Sequence, residues 1–367
     1  MKIGLLTFHY AHNYGAVLQA YALKTFLSNN GHEVVFINYR NKKIASVYNK
    51  KLPCKYSFLD FIHIRKIPKM IRENLDTIYS RSDWYKQWTA FESFISRYLI
   101  NEVELHDISQ LSNLYDVIIA GSDQIWNSDL TGGLDPIYFL DFDTNAKKIF
   151  YGASNGSSII PPQHKEYYKK VLTNAFKVST RESSLANNII NSLDINAIGV
   201  VDPTILLQRS DYKRLISNTE CSESYIFTYF ITEDPVLMDV SEFLSRVLKI
   251  EVIELHFYKR RDLKKHNQFA DMGPEEFLWY IKHARLVLTN SFHGTVFSLL
   301  FHKNFYSVYK TDARKDELLK ATGCMRRHIT KISDIDLNDY IDYSQVDSML
   351  DALRTPSKMF LYQSLET

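Results

Sequence analysis

Short unbroken apolar runs alternate along this chain with longer stretches whose apolar residues recur every three or four positions. Ile3–Phe8 is such a run, bounded by polar residues, and predicts a buried strand. Gly15–Asn29 follows with Ala16, Val17, Ala20, Leu23, Phe26 and Leu27 on one helical face, and Asn30-Gly31 supplies the stop. Glu33–Tyr39 is the next run, which completes a βαβ unit. The same pattern predicts a helix over Trp84–Tyr98 and strands over Asp116–Ala120, Lys148–Ala153, Lys177–Thr180 and Ala197–Val201. Pro161-Pro162 opens a helix running through Tyr167–Leu172, and another starts at Arg181-Glu182. After Leu206–Ser210 the alternation restarts. Strands are expected at Tyr225–Ile231, Val252–Leu255, Leu286–Leu288 and Phe305–Tyr309. Helices are expected at Pro235–Val247, Pro274–His283, Thr295–Phe301 and Arg314–Leu319. The fold class is α/β, with two Rossmann-like domains over 1–207 and 208–342. A last helix, Tyr343–Leu365 within 343–367, is expected to cross back to the first domain.

In parallel α/β sheets, ligands sit beyond the C-terminal ends of the strands, so the strand-to-helix loops carry the candidate chemistry. His9, His12, Asn13 and Tyr14 crowd the first loop. Its single glycine, Gly15, excludes a GxGxxG dinucleotide fingerprint. With no carboxylate or cysteine neighbour to complete a metal set, substrate contact is favoured over metal binding there. The loop after Asp116–Ala120 holds Asp123, Gln124 and Trp126. Asp123 reads equally as a base for a sugar hydroxyl or as a turn cap. Trp126 offers a ring that can stack on a sugar. Arg181 ends a strand, where it would grip phosphate or carboxylate; on the residues alone, an ion pair with Glu182 or across the domains is favoured. Between Leu286–Leu288 and the following helix lie Asn290, Ser291, His293, Gly294 and Thr295. Unpaired helix N–H groups favour an anion here, and Gly294 allows close backbone approach. The alternative is a capped helix with an incidental histidine. His256 ends a strand and is a further cleft-facing candidate. Lys259–Lys265 reads as a solvated basic loop or as a clamp for a charged substrate.

Composition narrows the classes. A chain of 367 residues is long for one core, and 45% hydrophobic with 23% charged residues is globular. A net charge of +2 argues neither for nor against a polyanion. The 24 Tyr and 22 Phe suit sugar sites, but also large cores, and the core reading is favoured. Cys54, Cys221 and Cys324 form no CxxC pair, which fits a reducing compartment and no structural zinc. With no secretory leader pattern and no apolar run near the roughly 20 residues of a membrane span, the expected location is cytoplasmic, or peripheral on the inner face of the membrane. The stretch 40–72 interleaves Lys and Arg with Phe, Ile and Met against one acid, Asp60. It reads as an excursion packed on its own domain or as a contact with an anionic membrane. Nucleic acid is not expected, since no recognition motif accompanies the charge.

Six motifs, in order, cover nearly the whole chain: FHYAHNYGAVLQAYAL from Phe8, AGSDQIWN from Ala120, STRESS from Ser179, VDPT from Val201, DMGPEEF from Asp271 and TNSFHG from Thr289. Together they resemble the polysaccharide pyruvyl transferase family. The resemblance implies a GT-B-like arrangement, two Rossmann-like domains facing across a cleft. It implies transfer of pyruvate from phosphoenolpyruvate onto two hydroxyls of one sugar as a cyclic ketal, in capsule, exopolysaccharide or cell-wall glycan biosynthesis. Phosphoenolpyruvate is then a co-substrate, with no cofactor and no metal, and the partner is a glycan acceptor for which lipid linkage is one hypothesis. In this frame His293 donates the proton and Asp123 acts as base. Arg181, Asn290, Ser291, Gly294 and Thr295 face the donor; His9, His12, Asn13, Tyr14, Gln124 and Trp126 face the acceptor. Some family members carry an arginine two residues before the histidine, where this chain has Ser291. Arg326, Arg327 or Lys310 are candidates for that second cation. The rivals are a GT-B glycosyltransferase using a nucleotide sugar and a non-catalytic bilobal sugar-binding protein, whose usual export signal this sequence lacks.

Overall fold

Strand β1 (Lys2–Leu6) is paired on both edges, to β2 (Glu33–Asn38) and to β4 (Val117–Ala120), with Leu5 opposite Phe36 and Leu6 opposite Ala120. It is buried from Ile3 to Leu6, which is why it reads as an unbroken apolar run. The computed structural model describes residues 1–48, 81–99, 103–104, 111, 113–217, 224–257 and 267–366. Most of the basic stretch 40–72, the loop Lys259–Lys265, Cys54 and Cys221 lie outside the described residues.

The first sheet continues through β3 (Val103–Glu104), β5 (Lys147–Ala153), β6 (Lys177–Thr180) and β7 (Ile198–Gly199), in the order β3-β2-β1-β4-β5-β6-β7. The second contains β8 (Tyr225–Tyr229), β9 (Glu251–Leu255), β10 (Asn267–Phe269), β11 (Leu286–Thr289), β12 (Asn304–Val308) and β13 (His328–Ile329), in the order β10-β9-β8-β11-β12-β13. Every strand pair is parallel. Both sheets therefore have Rossmann order, with switch points at β1/β4 and β8/β11, where such sheets open a crevice for ligands.

A helix leaves each switch point. Tyr14–Asn29 follows β1, capped by Asn13, whose side chain accepts from Ala16 N at 3.2 Å. Phe292–Leu300 follows β11, capped by Ser291, whose Oγ accepts from Gly294 N at 3.3 Å. This second helix starts three residues earlier than the apolar spacing predicts. The polar Ser291 looks like turn material in sequence, yet it satisfies an otherwise orphaned N–H and begins the helix. His293 is thereby in the first helical turn.

The lobes share a core. Tyr14 stacks on Phe277 of the helix Pro274–His283 with centroids 4.5 Å apart and donates to Met272 O at 2.7 Å. Val17 and Leu23 of the first lobe join Phe227 and Phe297 of the second in one apolar cluster. The helix Tyr343–Leu365 lies on the first lobe: Arg354 Nε donates to Ile205 O, Val201 N donates to Ser357 Oγ, and Tyr362 packs against Phe26. Arg209–Leu215 also packs there, with Arg214 donating to Tyr21 and Thr25. No helix among the described residues is long and apolar enough to cross a membrane.

Candidate active site

A cavity of about 440 Å³ separates the C-terminal edges of the two sheets. Asn13, Ala16, Asp123 and Gln124 line it from the first lobe; Asn290, Ser291, Phe292, His293, Asp312 and Arg314 line it from the second.

His293 stands on its wall with 12% of its side chain exposed and Nε2 3.4 Å from Asp202 Oδ2. Its other nitrogen faces the first lobe, where a Cβ built on Gly15 would lie 2.0 Å from Nδ1. Gly15 is thus the one residue type that lets the first helix approach this ring. Asp202 sits in the turn after β7. Its Oδ1 caps the helix Pro203–Leu206, accepting from Thr204 N at 3.0 Å and Thr204 Oγ1 at 2.6 Å. Its Oδ2 is left for His293 and for Arg181 Nη1, 3.1 Å away. Burial alone would raise this carboxyl, but His293 and Arg181 more than reverse the effect and hold it well below the usual carboxylate range. Arg181 is buried too, with 2% of its side chain exposed. Burial works against its charge; Glu182, Asp202 and Asp123 outweigh it and keep the guanidinium above its ordinary value.

The row Arg181–Asp202–His293 thus runs from the end of β6 to the cavity wall. Arg181 itself does not line that cavity. It borders a smaller one, about 150 Å³, behind Phe292, with its Cζ 5.3 Å from that ring's centroid. In this structure the expected direct grip on a donor gives way to a hold on Asp202.

Other expected contacts also change. Asp123 lines the cavity in a left-handed backbone conformation (φ 72°), accepting from Gln124 N at 2.8 Å and lying 4.0 Å from Arg181 Nη2. Gln124 lines it as well, with Oε1 accepting from Asn127 Nδ2 at 2.7 Å. Trp126 does not: it is 1% exposed, stacked on Phe139 and edge-on to Phe150 and Tyr168, so its ring is core rather than a sugar platform. Of the four candidates in the first loop, His9, His12, Asn13 and Tyr14, only Asn13 reaches the cavity. His9 is fully buried, with Nδ1 3.1 Å from Thr7 O and its ring stacked on Phe36. His12 stacks on Phe91 and meets Glu92 Oε1 at 2.8 Å, a carboxylate neighbour supplied by a helix distant in sequence. Tyr14 is used between the lobes.

On the donor side, Asn290 accepts from Ile231 N at 2.9 Å and donates to Thr232 O at 2.7 Å, which bolts the ends of β8 and β11 together. Gly294 is glycine for packing: a Cβ there would lie 2.5 Å from Thr289 Oγ1. Thr295 is fully buried and meets Ser307 Oγ at 2.8 Å, away from the cavity. Arg327 donates to Asn304 Oδ1 at 2.8 Å, at the start of β12 and so at the opposite sheet edge. Arg326 lies 3.7 Å from Asp339, which Arg327 also pairs with. Neither is the second cation. Lys310 is exposed just beyond β12.

Among the described residues two cations line the cavity, Lys43, whose Nζ donates to Asp129 O, and Arg314, which the sequence reading placed only in a helix. Its Nε and Nη2 fork onto Asp312 at 3.1 and 3.0 Å. Asp312 is the N-cap of Ala313–Ala321, so a cap signal in the loop after β12 was the available clue. Beside it Lys315 Nζ donates to Asn290 O at 2.8 Å, and burial lowers this amine to about 8.

Two parallel sheets of Rossmann order, facing each other across a polar cleft, define an α/β protein of the GT-B-like class. The UDP-GlcNAc 2-epimerase of Neisseria meningitidis, solved with UDP-GlcNAc, is similar over 100% of both chains, with a TM-score of 0.51 and 11% identity. S. aureus MnaA, solved with UDP, is similar over 97% of this chain and 90% of its own, with a TM-score of 0.51 and 10% identity. At such identities the likeness is one of fold. Among curated proteins none matches the chain. The sequence profile of the polysaccharide pyruvyl transferases matches residues 13–310, from the cap of the first helix to just past β12, and the chain belongs to that family. It is accordingly a transferase of polysaccharide biosynthesis.

Proposed function

We propose that this protein moves pyruvate from phosphoenolpyruvate onto two hydroxyls of one sugar residue, as a cyclic ketal, during assembly of a surface polysaccharide. The observation that carries the reading is the Asp202–His293 pair on the cleft wall, backed by Arg181. The chemistry needs a proton delivered to the donor's methylene carbon, so that positive charge develops at the adjacent carbon. A sugar hydroxyl adds there and gives up its proton, phosphate leaves, and the second hydroxyl closes the ring as its own proton passes to the departing phosphate. His293 is the proton donor. Its Nε2 lies 3.4 Å from the buried Asp202 carboxylate, which holds the ring in place on the cleft wall. Arg181 helps keep Asp202 ionised. Arg314 supplies the cation for the donor's phosphate or carboxylate in place of the arginine missing at Ser291. Asp123, on the facing wall, takes the sugar's proton. Phosphoenolpyruvate is a co-substrate, and this sequence of steps needs no metal. The acceptor's lipid linkage and the membrane contact through 40–72 belong to this proposal: vesicle binding should fall when Lys66, Lys69 and Arg72 are neutralised.

The test is a donor screen with a candidate oligosaccharide acceptor. Phosphate release from phosphoenolpyruvate with a mass gain of one pyruvyl ketal is the expected result. Release of a nucleoside diphosphate from a nucleotide sugar instead sinks the reading.

A further inference from the structure

A second chamber, about 280 Å³, opens beside the cleft between the loop Gly156–Ser158 and the residues Thr311–Arg314. Asp312 and Arg314 line both spaces, so the two are joined through one guanidinium–carboxylate fork. The chamber's wall is hydroxyl-rich, with Ser157, Ser158 and Thr311, and it has no large apolar side chain to hold a lipid or an aromatic base. Its charges are two carboxylates, Glu182 and Asp312, against the one guanidinium of Arg314, which disfavours a phosphate or a nucleotide. Glu182 is 1% exposed; its Oε1 accepts from Ser154 Oγ at 2.6 Å, and its Oε2 has no hydrogen-bond partner among the described residues. Buried polar atoms without partners are uncommon in folded proteins and point to an unfilled acceptor role.

From this lining we infer that the chamber is a saccharide subsite, which takes an uncharged polyhydroxylated ring of the acceptor next to the donor in the cleft. The inference rests on the pyruvyl-transfer reading for why a sugar must lie there. A ketal-forming enzyme has to hold the remainder of its acceptor while two hydroxyls reach the donor carbon. Fixing the ring through polar groups on a second wall meets that need. Arg314, shared by both spaces, then marks the boundary between donor and acceptor.

The probes are the methyl glycosides of glucose, galactose and mannose, followed by saturation-transfer NMR on the full chain, with phosphoenolpyruvate titrated separately by calorimetry. Saturation transfer from at least one hexoside is expected. Thr311→Trp, an exposed rim position that fills the chamber, should weaken that binding about tenfold or more and leave phosphoenolpyruvate affinity unchanged. No transfer from any of the three overturns the subsite, as does equal transfer in wild type and Thr311→Trp. Hexoside binding without phosphoenolpyruvate binding fails the donor reading and leaves the subsite standing. The opposite result fails the subsite alone.

Discussion

The two loops at the switch points, His9–Tyr14 after β1 and Asn290–Thr295 after β11, occupy equivalent places in equivalent sheets. Both carry histidine, asparagine and a glycine at the mouth of a helix, and both are expected to touch ligand. They are put to different uses. In the first, His9 stacks on Phe36, His12 stacks on Phe91 and meets the partly exposed Glu92, and Tyr14 binds the other lobe. In the second, the imidazole has an ionised, buried carboxylate as its neighbour and a cavity in front of it. A loop's position beside a cleft therefore does not bring its histidines to the cleft; the groups packed around each ring decide.

That contrast can be broken most directly at the rings. His293→Ala should lower turnover by about 10³-fold, in the range for losing a positioned general acid, with little change in melting temperature. His12→Ala should do the reverse: turnover within about tenfold of wild type, and stability reduced by about 1–2 kcal/mol from lost packing. Phosphate-release kinetics and thermal melts read both. Equal kinetic losses would erase the distinction.

The loops meet at one point, Gly15 against His293. Gly15→Ala should push the ring from its place and cost about 10²-fold in turnover, since small misplacements at reacting centres are that expensive. A crystal structure of the variant should show the imidazole displaced.

Asp202→Asn tests the backing of the second loop. Arg181 loses its nearest buried partner, so stability should fall by about 3 kcal/mol. The kcat should fall by about tenfold while the KM for phosphoenolpyruvate stays near wild type, because the support acts in the transition state. The wild-type carboxyl is held below its ordinary value near ~4, so its stabilisation is complete at neutral pH. That stabilisation is lost as the pH falls below the usual carboxylate range, and Asp202→Asn should flatten this part of the unfolding-versus-pH curve.

The smallest effect expected is at Arg314. Arg314→Gln should raise the KM for phosphoenolpyruvate about tenfold with kcat nearly unchanged, as for a group that binds donor and transition state alike. Lys310→Gln, exposed beyond β12, should change neither, and a reversal of the two would return the missing cation to Lys310.

The alternation of apolar runs and helical spacing was enough to order nearly all the long elements, because a parallel sheet covered on both faces leaves a continuous apolar signature in each strand. It missed β3, β10 and β13, two, three and two residues long, whose pairing comes from neighbouring strands rather than from their own pattern. The family and the loop bearing His293 were legible from local motifs, since a cap, a glycine and a titratable side chain within six residues are contiguous in the chain. The partners of that histidine were not. Gly15 and Asp202, with Arg181 behind it, are separated from it by long stretches of sequence, and only the docking of one lobe on the other brings Gly15 and Asp202 to the ring. Trp126 and Arg314 teach the same point in opposite directions. The aromatic residue looked like a platform and lies in the core, while the arginine looked like ordinary helix surface and lines the cleft. Sequence determines which groups stand at a strand's end; the packing of two sheets decides which of them face the open space between.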